Sequence, residues 1–300
     1  MSEKERIANH KNSNNSRDEG NSAPSSLSSS SLPLITKTRE GKHEGKHEGK
    51  HEGKHVKNSC SKFNAQDLCK GSNILICGKR MVGKSHLMVD IMQSKSNAKK
   101  VIFSSRYIAN AYKKYLIPEN VYKRYDANIL AKLISIQEQN SENELVIGFD
   151  DVAVNKNIWN DSFMKDMIRY GSSLNITAIF LIQDPSQLDH MFKNNIDYVF
   201  CFRNNMIANQ KVVYEEFGGM FESFSSFKSI LDTCIAEPNR CLVFDVNTPK
   251  KEPEHSVFWY KAAENLEKHN IPFKKEPFDE KLNKGFFARM FMQYWGSART

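Results

Sequence analysis

The feature that most constrains this chain is a glycine-containing loop that directly follows the apolar residues 74–77. Residues 78–85 fit the pattern G-x-x-x-x-G-K-[ST] at every defined position, and a helix is predicted over residues 85–93. The backbone N–H groups of such a loop surround a phosphate group, and the first turn of the helix adds unpaired N–H groups. The sequence therefore predicts a strand, a phosphate-binding loop and a helix, and with them a site for a nucleoside triphosphate.

The side chains of this loop have distinct predicted roles. Lys84 is expected to reach the β- and γ-phosphates, and the Ser85 hydroxyl is expected to ligate Mg²⁺. A chance glycine loop is the alternative, but it does not account for the strand before it, the helix after it or the acidic pair further along. We therefore predict that ATP and Mg²⁺ bind here, with nucleotide contacts from Gly78, Lys79, Arg80, Met81, Val82, Gly83, Lys84, Ser85 and His86.

The 300 residues divide into three predicted regions. Residues 1–58 are rich in Ser, Asn, Lys, Glu and Gly and supply no apolar core, so we predict a disordered tail. Within it, the tetrapeptide Gly-Lys-His-Glu repeats from residue 41, which indicates either a solvated linker or a histidine-based metal site. Residues 59–270 are enough for one α/β domain. Residues 271–300 form a basic, aromatic C-terminal extension.

Charge and cysteine usage bound the environment of the chain. The formal net charge of +8 favours a polyanionic partner. None of the six cysteines forms a C-x-x-C pair, which favours buried free thiols over a zinc site or disulfides. No run approaches the ~20 apolar residues of a membrane span, so no transmembrane segment is expected. The N-terminal region lacks a signal-peptide pattern, and we predict a soluble, intracellular chain.

Apolar segments and helical periodicities alternate through the middle of the chain. Strands are predicted at 100–104, 144–149 and 174–182, with helices at 126–139 and 159–169 between them. This alternation predicts an α/β fold with a mostly parallel sheet and helices on both faces. Further strands are predicted at 198–202, 241–245 and 257–260, and further helices at 207–217 and 221–235.

Polar side chains follow two of these strands, where parallel sheets gather their chemistry. Asp150 is expected to hold Mg²⁺ through its water shell together with Ser85. Asp151 is expected either to orient or deprotonate the attacking water, or to cap the next helix or turn. Gln183 is expected to sense the γ-phosphate or position water, unless it only bonds the adjacent loop. Lys84, Asp151 and Gln183 are thus the predicted catalytic residues.

Taken together, these segments resemble the DNA-packaging ATPases of large DNA viruses, the poxvirus-type members of the FtsK–HerA branch of RecA-like motors. The resemblance runs from about residue 73 to 262 and rests on the glycine loop and on residues 145–151, 175–184, 195–200 and 240–245. It implies a RecA-like P-loop NTPase core in which the glutamine strand lies between the two Walker strands. It also implies a homo-oligomeric ring that hydrolyses ATP and drives double-stranded DNA into a preformed capsid.

The resemblance also assigns residues and leaves one role open. Lys84 and Ser85 match Walker A, Asp150 and Asp151 match Walker B, and Gln183 matches the strand-end glutamine. Such a protein acts in the host cell cytoplasm or a viral factory and associates with the virion. Family members often carry a basic pair after a glycine that corresponds to Gly171, but serines follow it here. The candidates for an arginine that acts on a neighbouring subunit are therefore Arg80, Arg169 and Arg203.

Two further segments have open interpretations. A basic, tyrosine-interleaved stretch either faces a DNA backbone or forms a solvated surface; its residues are Tyr112, Lys113, Lys114, Tyr115, Tyr122, Lys123, Arg124 and Tyr125. An aromatic stripe within residues 281–300 either docks on the domain or on a neighbouring subunit, or binds a capsid protein or virion membrane.

Two other functional classes remain as alternatives. A P-loop phosphotransferase such as a nucleotide kinase would need an arginine-rich lid, and no such cluster follows residues 145–151. A nucleotide-switched assembly scaffold would not need the catalytic residues that this sequence retains.

Overall fold

The structure is a computed structural model that describes residues 60–152, 156–248 and 253–268. Within these residues, nine strands form one sheet. The predicted tail (1–58) with its repeats and the predicted C-terminal extension (271–300) lie outside the described residues. The strands are β1 (Ser61–Lys62), β2 (Asn73–Cys77), β3 (Lys99–Ser104), β4 (Val121–Tyr122), β5 (Leu145–Asp150), β6 (Ile176–Ile182), β7 (Tyr198–Phe202), β8 (Arg240–Asp245) and β9 (Val257–Lys261).

The strand order places the predicted site elements side by side. The order is β1-β9-β8-β7-β2-β6-β5-β3-β4, and β8 runs antiparallel to both its neighbours while every other adjacent pair is parallel. Strand β6 lies between β2 and β5, with Leu75 opposite Phe180 and Ile147 opposite Ala178. The mostly parallel sheet and the inserted glutamine strand are therefore confirmed.

Helices cover both faces of this sheet, as predicted. They are α1 (Lys84–Ser94), α2 (Ala109–Tyr112), α3 (Ala127–Gln139), α4 (Ser162–Tyr170), α5 (His190–Lys193), α6 (Ile207–Phe217), α7 (Phe224–Cys234) and α8 (Pro253–Ser256). Alternate residues of β2 enter separate cores: Leu75 packs with side chains of α3, α4 and α7, and Ile76 packs with those of α1 and α2. Because both faces are covered, every residue of the central strands β2, β5, β6 and β7 is buried, and most of these residues are apolar.

Close packing of α1 on β5 fixes the distance between the glycine loop and the acidic pair. A Cβ atom added at Gly148 would lie only 2.6 Å from the Met88 sulfur and 2.8 Å from the Met92 methyl carbon. The absence of a side chain at this position therefore lets the helix approach the strand. Since α1 begins at the loop and β5 ends at Asp150, this contact brings the two motifs together.

Two helices begin later than predicted because side chains cap their backbones. Asp161 accepts a hydrogen bond from the Met164 N–H, so α4 begins at Ser162, after a 3₁₀ turn over Lys156–Asn160. Ser223 accepts one from the Ser226 N–H, so α7 begins at Phe224. The predicted cap at Asp126 is confirmed, as it accepts from the N–H groups of Asn128 and Ile129.

The cysteine prediction is wrong at one pair. Cys60 and Cys234 are joined by a disulfide, with their Cα atoms 6.1 Å apart. The two residues are 174 positions apart in sequence, so their proximity depends on tertiary packing rather than on spacing. The remaining thiols are free: Cys77, Cys201 and Cys241 are buried, as predicted, while Cys69 is exposed.

Among the described residues, no helix has both the length and the apolar character that a membrane span requires.

Candidate nucleotide site

Most of the predicted site residues line a cleft of about 910 Å³ at the carboxyl edge of the parallel strands, whereas Gly78, Lys79 and Val82 are not among its lining residues. The glycine loop follows β2, Asp150 ends β5 and is followed by Asp151, and Gln183 follows β6. The residues on the polar side of the cleft are Arg80, Lys84, Ser85, His86, Asp150, Asp151, Gln183 and Asp184. Ile108, Trp159 and Leu188 supply apolar walls. The strand order thus brings together motifs that are far apart in the sequence; Ser85 and Asp150, for example, are 65 positions apart.

The glycines of the loop are required by its backbone. Gly83 has φ +99° and forms the N-cap of α1, a conformation that side-chain-bearing residues seldom adopt. At Gly78, with φ +155°, an added Cβ would lie 2.9 Å from the Phe202 Cβ atom.

The Lys84 Nζ donates to the carbonyl oxygens of Gly78 and Lys79, each at 2.6 Å. Lys84 therefore lies across the loop that is predicted to hold the phosphates.

The two predicted metal ligands, Ser85 and Asp150, are in direct contact. The Ser85 Oγ donates to the Asp150 Oδ2 at 2.7 Å, and Asp150 is only 6% exposed. Burial raises the pKa of Asp150 and lowers that of Lys84. Hydrogen bonds from Tyr112 and Ser85 oppose the shift at Asp150, and the charge of Asp150 opposes the shift at Lys84.

This donor set fits magnesium. A hydroxyl and a carboxylate are hard oxygen ligands, and Mg²⁺ commonly takes one or two carboxylates, with phosphates and water completing an octahedron. Within the described ranges, no group of three or more His, Cys, Asp or Glu side chains converges to form an all-protein metal site. The residues present thus suit an ion that is held jointly with a nucleotide.

Asp151, Gln183 and His86 also line the cleft. Asp151 is exposed and its backbone is left-handed, with φ +57°. Gln183 is exposed at the end of β6. His86 lines the cleft, but its Nε2 atom also lies 2.6 Å from the Ala263 carbonyl oxygen, so the residues after β9 contact the start of α1. The catalytic roles of these residues stay predictions.

The three candidate arginines occupy different places. Arg80 is exposed in the loop and lines the cleft. Arg203 follows β7 at the same edge, and its Nη2 lies 3.0 Å from the Asp232 Oδ1. Arg169 is exposed near the end of α4, whose Ile168 carbonyl accepts from the Asn73 side chain at the amino end of β2. Arg169 is therefore at the opposite edge of the sheet from the cleft.

Tyr112 was missed as a site residue. The sequence places it in a stretch whose side chains are expected to face DNA or solvent, but Tyr112 is only 3% exposed and its hydroxyl donates to the Asp150 Oδ2. Lys114, Lys123 and Arg124 in that stretch are exposed. No local signal distinguishes Tyr112 from the other tyrosines, because its partner is 38 positions away in sequence.

The buried carboxylate has a consequence for stability that can be measured. Because burial raises the folded-state pKa of Asp150, the ionised group destabilises the metal-free fold at pH values above that pKa. We expect Asp150→Asn to raise Tm in EDTA near neutral pH by roughly 2–4 °C, the shift that about 1 kcal/mol produces in a domain of this size.

The sign of that effect is checked by pH. The gain should shrink as pH falls from neutral and disappear below the ordinary aspartate pKa of about 3.9, where the carboxyl is protonated in both the folded and the unfolded state. Thermal melts of the two proteins across this range measure it. A Tm that falls at neutral pH in Asp150→Asn would show that the hydrogen bonds to the carboxylate outweigh its burial.

The sheet and the cleft together define a P-loop NTPase fold. A strand, a G-x-x-x-x-G-K-S loop and a helix lie close to a second strand with an acidic pair at its end.

No protein-family model matches the chain. Relatives occur among large DNA viruses. "Uncharacterized protein L437" of Acanthamoeba polyphaga mimivirus is 26% identical over 220 residues, covering 68% of this chain and 77% of the relative. "Uncharacterized protein 015R" of Frog virus 3 is 26% identical over 202 residues, covering 64% and 62%.

Solved structures with a similar fold include a viral and a bacterial ATPase. The genome packaging NTPase B204 of Sulfolobus turreted icosahedral virus 2, in complex with AMPPCP, has a TM-score of 0.46 and 12% identity, covering 64% of this chain and 98% of that one. ATPases 2 and 3 of EssC from Geobacillus thermodenitrificans have a TM-score of 0.44 and 14% identity, covering 75% of this chain and 45% of that one.

Proposed function

We propose that this protein is an ATP-hydrolysing DNA translocase that packages viral double-stranded DNA into a capsid. The observation that carries the enzymatic part is the 2.7 Å contact between Ser85 and Asp150, beside Lys84 and in one cleft with Asp151 and Gln183. The viral part is supported by relatives in large DNA viruses and by the resemblance to poxvirus-type packaging ATPases. The position of β6 between β2 and β5 is the order that this resemblance implies.

In this proposal five side chains of the cleft have defined tasks. The Lys84 ammonium exchanges the carbonyl oxygens of Gly78 and Lys79 for the β- and γ-phosphates of ATP. Ser85 and Asp150 hold Mg²⁺, which when bound neutralises charge that develops on the phosphates. Asp151 accepts a proton from the attacking water, and Gln183 orients that water.

The proposal extends to assembly and location. The active form is a homo-oligomeric ring around double-stranded DNA, in which an arginine of one subunit completes the site of the next. It binds a component of the capsid or of the virion membrane, and it works in the host cell cytoplasm or in a viral factory. The net charge of +8 suits a polyanionic substrate.

An ATPase assay on the full chain, with and without duplex DNA, tests the reaction class. We expect release of inorganic phosphate, stimulated by duplex DNA, and no turnover for Lys84→Ala, because the phosphate contact is lost. Displacement of a triplex-forming strand from duplex DNA then separates translocation from mere binding. Transfer of phosphate to an acceptor would identify a phosphotransferase instead. Nucleotide-dependent assembly without hydrolysis would identify a scaffold.

A further inference from the structure

A residue outside both nucleotide-binding motifs holds the carboxylate at the centre of the site. The Tyr112 hydroxyl donates to Asp150 Oδ2, the same oxygen that accepts from Ser85. We propose that Tyr112 is a positioning residue for the metal: it fixes the orientation of the Asp150 carboxylate and so sets the affinity of the site for Mg²⁺. This inference rests on the proposed function, because it assumes that the cleft binds a metal with a nucleotide.

Burial makes this hydrogen bond hard to replace. Tyr112 is 3% exposed and Asp150 is 6% exposed, so water has little access to the carboxylate when the phenol oxygen is removed. Two donors on a single carboxylate oxygen restrict rotation of the group about its Cβ–Cγ bond. Partners that hydrogen-bond to a metal ligand in this way typically contribute 10–100-fold to metal affinity or activity.

The packing around Tyr112 requires a ring but not a hydroxyl. Tyr112 lies in an apolar core with Ala109, Leu116 and Val121, on the face of the sheet that α1 covers. A phenylalanine would fill the same volume against these neighbours. Loss of the oxygen therefore removes the contact with Asp150 while keeping the packing of the ring.

A second buried tyrosine provides a matched control. The Tyr260 hydroxyl donates to the Asp90 Oδ2 at 2.6 Å, in the same apolar core. Tyr260 and Asp90 are 9% and 8% exposed, comparable with the Tyr112–Asp150 pair, but neither residue lines the cleft. Tyr260→Phe therefore removes the same type of bond from a pair that does not line the cleft.

The test compares Tyr112→Phe, Tyr260→Phe and the unaltered full chain. For Tyr112→Phe we expect unchanged affinity for a fluorescent ATP analogue in EDTA. We expect roughly tenfold weaker Mn²⁺ binding to the nucleotide-bound protein by electron paramagnetic resonance. The Mg²⁺ concentration that gives half-maximal hydrolysis should rise by a similar factor, and kcat at saturating Mg²⁺ should change by less than about twofold. Tyr260→Phe should change none of these quantities.

The outcomes separate this inference from the proposed function. If Tyr112→Phe binds Mn²⁺ as the unaltered protein does, or shifts no more than Tyr260→Phe, the positioning role is wrong. If the unaltered protein binds neither nucleotide nor Mn²⁺, the proposed function fails first. The Tm of each variant without metal shows whether the substitution destabilises the fold. Mn²⁺ binding to a destabilised variant is then measured well below its Tm, so that unfolding cannot mimic weaker metal binding.

Discussion

The Asp151→Asn variant is expected to bind ATP and Mg²⁺ with near-normal affinity and to hydrolyse ATP roughly 10²–10⁴-fold more slowly, the usual contribution of a general base. Asp151 is exposed in the cleft beside the buried Asp150, so its carboxylate is accessible to a water molecule in the cleft. Asparagine tolerates the left-handed conformation at φ +57° as readily as aspartate does, so the backbone is kept and only the proton acceptor is lost.

Single-turnover hydrolysis and equilibrium binding of a fluorescent ATP analogue measure the two halves of this prediction. Asp184→Asn is the matched control, because Asp184 lines the same cleft while its Oδ1 accepts from the Ser186 N–H at 3.0 Å, which asparagine can also do. The control loses the same charge and should keep most of the turnover. Near-normal turnover in Asp151→Asn would show that another group, or the substrate itself, accepts the proton.

The core of the fold could be predicted because its strands are buried on both faces. Such strands are continuous apolar runs, and the runs that became β2, β5, β6 and β7 are visible without any knowledge of their partners. The two-residue strands β1 and β4 have no such run, and they exist only because longer strands offer them an edge. The antiparallel direction of β8 likewise depends on chain connection rather than on composition.

The candidate site likewise contains residues that local sequence identifies and residues that only tertiary contacts identify. Lys84 and Ser85 belong to one contiguous motif, and Asp150 and Asp151 to another, so each was identified from local sequence. Tyr112 contacts Asp150 only because α2 packs in the same core as α1. Nothing in the sequence around Tyr112 distinguishes it from the neighbouring tyrosines. The Cys60–Cys234 pair was missed for the same reason, since it joins two segments that only the folded sheet brings together.

The position of each arginine makes the expected trans-acting group testable. An arginine supplied by a neighbouring subunit contributes roughly 10³–10⁵-fold to the rate in related P-loop enzymes. Arg80 lines its own cleft and is placed to act within its own subunit. Arg203 and Arg169 are absent from the cleft lining, and Arg169 lies at the opposite edge of the sheet, where it is accessible to another copy. We therefore expect the trans-acting residue to be Arg169 or Arg203.

Mixed assemblies distinguish these residues. Each Arg→Ala variant is combined with Lys84→Ala subunits, which are inactive but carry every arginine. Turnover should be restored for the trans-acting arginine, because the Arg→Ala subunit keeps its own P-loop and borrows the arginine of its neighbour. Arg80→Ala should not be rescued, since its loss affects the same subunit that hydrolyses ATP. If neither Arg169→Ala nor Arg203→Ala loses activity alone, or neither is rescued despite proven co-assembly, both are excluded and the site is completed by another residue.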